Sequence, residues 1–200
     1  MLSDFAKCVV KRNPGLAKRF VWSTSADRMA DSEIYKALDP RCFGLWGMNI
    51  RISDLPMKAA FAEELVRQGP RRWPQINPSK ESPLNWVVPT AVRAGPGIDS
   101  VSRSTAEGIL QKAQAEALVG RLGECVARAS PAGSVAVLNT KIDSPAELAA
   151  MRALGPQIAG CVGVGQTLSF NRTNLRYAIA VSYYRLAFHP AEATRREALK

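Results

Sequence analysis

A chain of 200 residues is long enough for one domain with a real core, and at 46% hydrophobic residues its composition is not that of a disordered protein. Its 27 lysines and arginines exceed its 17 acidic residues, giving a formal net charge of +10 and a pI near 9.8. That balance favours anionic partners and says nothing about fold. No stretch approaches the roughly 18 apolar residues of a membrane span, and the first residues lack a secretory apolar run, so neither a transmembrane helix nor a signal peptide is expected.

Residues 1–30 form a basic arm. Lys7, Lys11, Arg12, Lys18, Arg19 and Arg28 face only Asp4 and Asp27, and Phe5, Val9, Val10, Leu16 and Phe20 are interleaved. This basic, acid-poor, weakly amphipathic style is that of a mitochondrial targeting segment. Lys11, Arg12, Lys18 and Arg19 are its candidate partner contacts. In residues 31–69 a short helix is expected around Ser32–Leu38, stopped by Asp39-Pro40. The apolar stretch CFGLWGMNI (Cys42–Ile50) reads as a buried strand or a plug for a neighbour. Asp54 ahead of Pro56, with Met57, Ala60, Phe61 and Leu65 at helical spacing, predicts an amphipathic helix over 56–68 that Gly69-Pro70 ends.

Residues 70–97 carry six of the chain's 13 prolines. Proline donates no backbone hydrogen bond and pushes the preceding residue to extended geometry, so this segment is expected to be irregular. Trp73, Ile76, Leu84 and Trp86 make it too apolar for a free linker. It reads as a strap across a partner, with Arg71, Arg72, Trp73, Ile76, Leu84 and Trp86 as its contact residues.

Residues 98–200 read as a compact α+β module. Ser104-Thr105-Ala106-Glu107 is a capping box that opens a long helix. A short strand is expected over Ser134–Leu138. A second capping box, Ser144-Pro145-Ala146-Glu147, starts a helix running to Leu154. A glycine-rich strand over Cys161–Phe170 and an alternating strand over Tyr177–Tyr184 follow. No internal repeat is evident, and the last residues read as a basic helix.

Catalytic chemistry finds little foothold. The single histidine, His189, lies beside Pro190 with no nucleophile elbow in the chain. GCVGVGQT (Gly160–Thr167) has Gln166 where a phosphate loop needs lysine. Glu63 and Glu64 are helix neighbours that point apart, and Glu147 is committed to its cap. Cys8, Cys42, Cys125 and Cys161 include no close pair, so no metal site is expected, and they read as buried thiols in a reducing compartment. No cofactor is expected.

These features point to a non-catalytic accessory subunit of a large multi-protein assembly, mitochondrial or otherwise intracellular, whose partners are other protein subunits. Contact with a membrane surface is compatible with the basic arm. The alternative is an RNA-binding or coat protein that neutralises phosphate, with the aromatic, arginine-flanked segment 177–188 as a base-stacking sheet.

Overall fold

The computed structural model describes residues 2–23, 40–42, 54–68, 73–78, 80–86, 103–162 and 170–197. Among them every regular element is helical: α1 (Leu2–Arg12), α2 (Pro14–Trp22), a 3-10 turn (Pro40–Cys42), α3 (Asp54–Gln68), α4 (Arg103–Ala129), α5 (Pro131–Leu138), α6 (Pro145–Ala153), α7 (Gly155–Cys161) and α8 (Arg172–Glu197). The expected α+β class is therefore corrected to all-α.

Two expected strands are helices for identifiable reasons. At residues 134–138, Pro131 directly after Ser130 fixes a first helical turn, and Ala132-Gly133 lies inside α5 instead of ending an element. At residues 177–184, alternation misled because both parities are apolar or small. Every residue from Ala178 to Leu186 is buried. A helix surrounded on all sides loses the stripe that reveals its period. The expected strand over Cys161–Phe170 is corrected where it is described: Cys161 closes α7. Residues 163–169, the helix expected at 32–38 and residues 43–50 lie outside the described residues.

α8 is the hub, packed against α2, α3, α4 and α5. Its approach to α4 depends on glycine. A Cβ on Gly123 would overlap the backbone of Ala178, and Ser182 Oγ donates to Gly120 O at 3.1 Å. One core cluster joins both halves, from Phe5 to Leu186.

One helix–break–helix pattern occurs twice among the described residues, contrary to the sequence reading. Cys8-Val9-Val10-Lys11-Arg12-Asn13-Pro14 in α1–α2 recurs as Cys125-Val126-Ala127-Arg128-Ala129-Ser130-Pro131 in α4–α5. The residues that break the two helix pairs share a backbone: Asn13 has φ −145° and ψ 74°, Ser130 φ −147° and ψ 78°. Asn13 N donates to Val9 O and Ser130 N to Val126 O, at 2.7 and 2.9 Å. At the far ends of α2 and α5, Ser23 Oγ donates to Phe20 O at 2.8 Å and Thr140 Oγ1 to Val137 O at 2.6 Å. The third helices match through Met57-Lys58-Ala59-Ala60-Phe61-Ala62 and Leu175-Arg176-Tyr177-Ala178-Ile179-Ala180.

The cysteines complete the correspondence. Cys8 is bonded to Cys42 and Cys125 to Cys161, across 34 and 36 residues. Each bridge ties the first helix of its half to a short element between the second helix and the third-helix match: the 3-10 turn in the first half and the end of α7 in the second, where α6 comes between α5 and α7. The reading of four thiols is corrected: a pairing between distant cysteines is invisible until the fold brings them together.

Candidate functional site

The prolines set the geometry of the strap, and its described part, residues 73–78 and 80–86, lies on the chain's own helices. Trp73 meets Tyr183 edge to face at 5.6 Å, and Tyr183 Oη donates to Pro74 O at 2.7 Å. Burial pushes that phenol's pKa above its ordinary value. Ile76 and Trp86 pack against the core and Leu84 is buried in it. The apolar groups expected to cover a neighbour thus cover α4 and α8.

Two side chains one turn apart on α4 hold the backbone of the strap. Glu124 accepts from Leu84 N at 3.0 Å and from Trp86 Nε1 at 2.8 Å, and it pairs with Arg128 Nε at 2.8 Å. Arg128 donates onward to Pro78 O, Glu81 O and Ser82 O at 2.8, 3.0 and 2.7 Å. Proline and turn geometry leave these carbonyls without ladder partners, and the guanidinium fork satisfies three of them at once. Gly120 is where the Trp86 ring lands, with no room for a side chain beneath it. Alongside runs an open groove of about 770 Å³ lined by Pro83–Trp86, Arg121, Glu124, Cys125, Arg128 and Ala129.

Two arginines of α8 finish the second helices of both halves. Arg185 donates to Val21 O at 3.0 and 2.7 Å and to Ser23 O at 3.0 Å. Arg176 donates to Val137 O, Leu138 O and Thr140 O at 2.8, 3.2 and 3.2 Å. Val21 O and Ser23 O match Leu138 O and Thr140 O at the ends of α2 and α5, where a helix leaves its last acceptors open. Arg176 is also paired with Glu63 and Glu147 at 3.0 and 3.1 Å. Arg185 lies 4.6 Å from the Trp86 ring centre, which links the strap to α2 through one cation.

Of the residues expected to touch partners, Lys11, Arg12 and Arg19 are exposed and Lys18 is partly so, while Arg71 and Arg72 lie outside the described residues. Lys7 joins the exposed basic set. The apolar face beneath it (Phe5, Ala6, Val9, Val10, Leu16, Ala17, Phe20) is buried. The sequence reading missed Glu124 and Arg128, and it gave Arg176 and Arg185 a different role, beside a base-stacking sheet. The Glu124–Arg128 spacing was a visible signal, an acid one helical turn before a base.

Among the described residues no group of three His, Cys, Asp or Glu could hold a metal ion, and no helix is long and apolar enough to cross a membrane. The side chain of His189 is outside the described set. No known protein family matches the chain, and neither a curated protein nor a solved structure is similar to it.

Proposed function

We propose that the chain is a non-catalytic scaffold subunit of a multi-protein assembly, stapled by two disulfides and presenting a basic face to its partner. The observation that carries this reading is the division of labour in α1 and α2. Their apolar residues are buried against α3, while Lys7, Lys11, Arg12 and Arg19 are exposed and α1 contains a single acid, Asp4. A predominantly basic face on a cross-linked support steers association with an acidic surface.

Two disulfides support an oxidising compartment in place of the reducing one expected from sequence. A mitochondrial location then means one outside the matrix. The RNA reading has less to work with. Arg176 and Arg185, which were to flank stacked bases, are buried on backbone carbonyls, and Tyr183 is in the core.

The test is native affinity capture of the oxidised full chain from its own source, at low and high salt. A defined protein partner released by salt is the expected result. Recovery of the chain alone, or with nucleic acid that nuclease removes, would contradict the scaffold reading.

A further inference from the structure

We infer that the outer face of α1 around Lys7 and Lys11 is the docking site for an extended acidic segment of a partner protein, an inference that rests on the scaffold reading above. It comes from laying one half of the chain on the other. Lys7 stands where Glu124 stands, one residue before the first cysteine of its half, and Lys11 stands where Arg128 stands, three residues after it. In the second half this pair grips an extended, proline-rich segment almost wholly through backbone atoms: one amide and one indole N–H on the glutamate, three carbonyls on the arginine. Extended peptides are held this way because backbone groups give affinity and side chains only select. The cystine beside the pair, Cys8–Cys42 or Cys125–Cys161, fixes the same neighbourhood in both halves.

The chemistry of the first half differs in one respect. Lysine replaces glutamate, so these two positions offer ammonium donors, and the one carboxylate of α1 is Asp4, a turn before Lys7. Lys7 and Lys11 are exposed. A segment that suits them must bring acceptors, both its carbonyls and carboxylate side chains. Asp4, one turn before Lys7, disfavours an acid at that end and places the acidic residues of the ligand toward Lys11. An anionic membrane is a poorer fit, because Phe5, Ala6, Val9 and Val10 are buried and α1 has no apolar face left to insert. A nucleic acid is a poorer fit too, because the aromatic ring of α1, Phe5, is among those buried residues and offers bases no stacking surface.

The test uses the intact oxidised chain and fluorescence anisotropy with a labelled dodecapeptide of alternating glutamate and proline. The Lys7→Glu/Lys11→Glu variant should weaken binding by about tenfold or more at low salt, while Arg152→Glu, an exposed change on α6, should stay within about twofold. Circular dichroism confirms that both variants are folded. Equal losses in the two variants, equal binding of a lysine–proline peptide, or tighter binding of oligothymidylate or phosphatidylglycerol vesicles would overturn the assignment. Native capture with the same double variant separates the two claims. A partner still held by Lys7→Glu/Lys11→Glu removes this site and leaves the scaffold reading standing. Capture of no partner by the wild type defeats the scaffold reading itself.

Discussion

The two halves share a plan and close by different chemistry. The first closes on rings: Phe61 packs against Phe5 at 6.0 Å and edge-on to Phe20 at 5.4 Å. The second closes on charge: Arg176, only 1% exposed, joins Glu147 at the start of α6 and Glu63 of the other half to the end of α5. Phe20 of α2 corresponds to Val137 of α5. A guanidinium finishes both helix ends, Arg185 on α2 and Arg176 on α5, and the one on α5 also pairs with Glu63 and Glu147. The lesson is that cysteine, proline and the helix break set the backbone, while the filling between helices is free to change. Free change has a limit where two helices approach most closely, as α4 and α8 do at Gly123.

The largest expected effect comes from removing the charge that the second half depends on. Arg176→Met removes the cation shared by Glu63 and Glu147 and the guanidinium donors to Leu138 O and Thr140 O, and should cost about 3–5 kcal/mol by urea denaturation. A loss under about 1 kcal/mol, the scale of an exposed ion pair, would show that the halves do not differ in this way.

Next comes the helix crossing. Gly123 corresponds to Ala6, a buried residue of α1. Gly123→Ala drives a methyl into the Ala178 backbone, which cannot swing aside, and should cost about 1–3 kcal/mol. The reciprocal Ala6→Gly adds no clash and should cost about 1–2 kcal/mol, from helix propensity and the loss of one buried methyl. A Gly123→Ala variant as stable as the wild type would mean that the crossing of α4 and α8 has room for a methyl.

The smallest effect should be a gain. Ser134 is fully buried in α5, its hydroxyl has no hydrogen-bond partner among the described residues, and the corresponding residue in α2 is Ala17. Ser134→Ala installs the residue of the first half, removes an unsatisfied hydroxyl and should raise stability by about 1 kcal/mol, read as a higher midpoint in the same urea titration. A destabilised variant would point to a partner for that hydroxyl and break the correspondence there.

Much of the fold was legible where helices lie at the surface. α3 was marked by Asp54, Pro56 and the spacing of Met57, Phe61 and Leu65, and Ser144 does cap α6, accepting from Glu147 N at 3.1 Å. The box is not reciprocal, since Glu147 reaches back to Asp143 N at 3.0 Å, one residue earlier than the motif implies. α8 was illegible because burial on all sides erases periodicity, and its β-branched and aromatic residues mimic a strand. The duplication was illegible because it survives in few identities, among them a Cys-Val pair, a proline and scattered alanines. The strap was recognised as an extended segment in need of a surface, but composition cannot say whose surface. Glu124 and Arg128 answer that for residue 78 and residues 80–86. The basic arm was legible as a charged segment, whereas its correspondence to the strap-holding face of α4 emerged only from the structure.

The two halves are each closed by a bridge of their own, Cys8–Cys42 and Cys125–Cys161. Proteolysis of the purified, unreduced chain followed by mass spectrometry reads this directly. The expected result is two cross-linked peptide pairs, one joining Cys8 to Cys42 and the other Cys125 to Cys161, with no free thiol. A bridge between the halves, such as Cys8 to Cys125, or four alkylatable thiols in the freshly isolated protein, would contradict it.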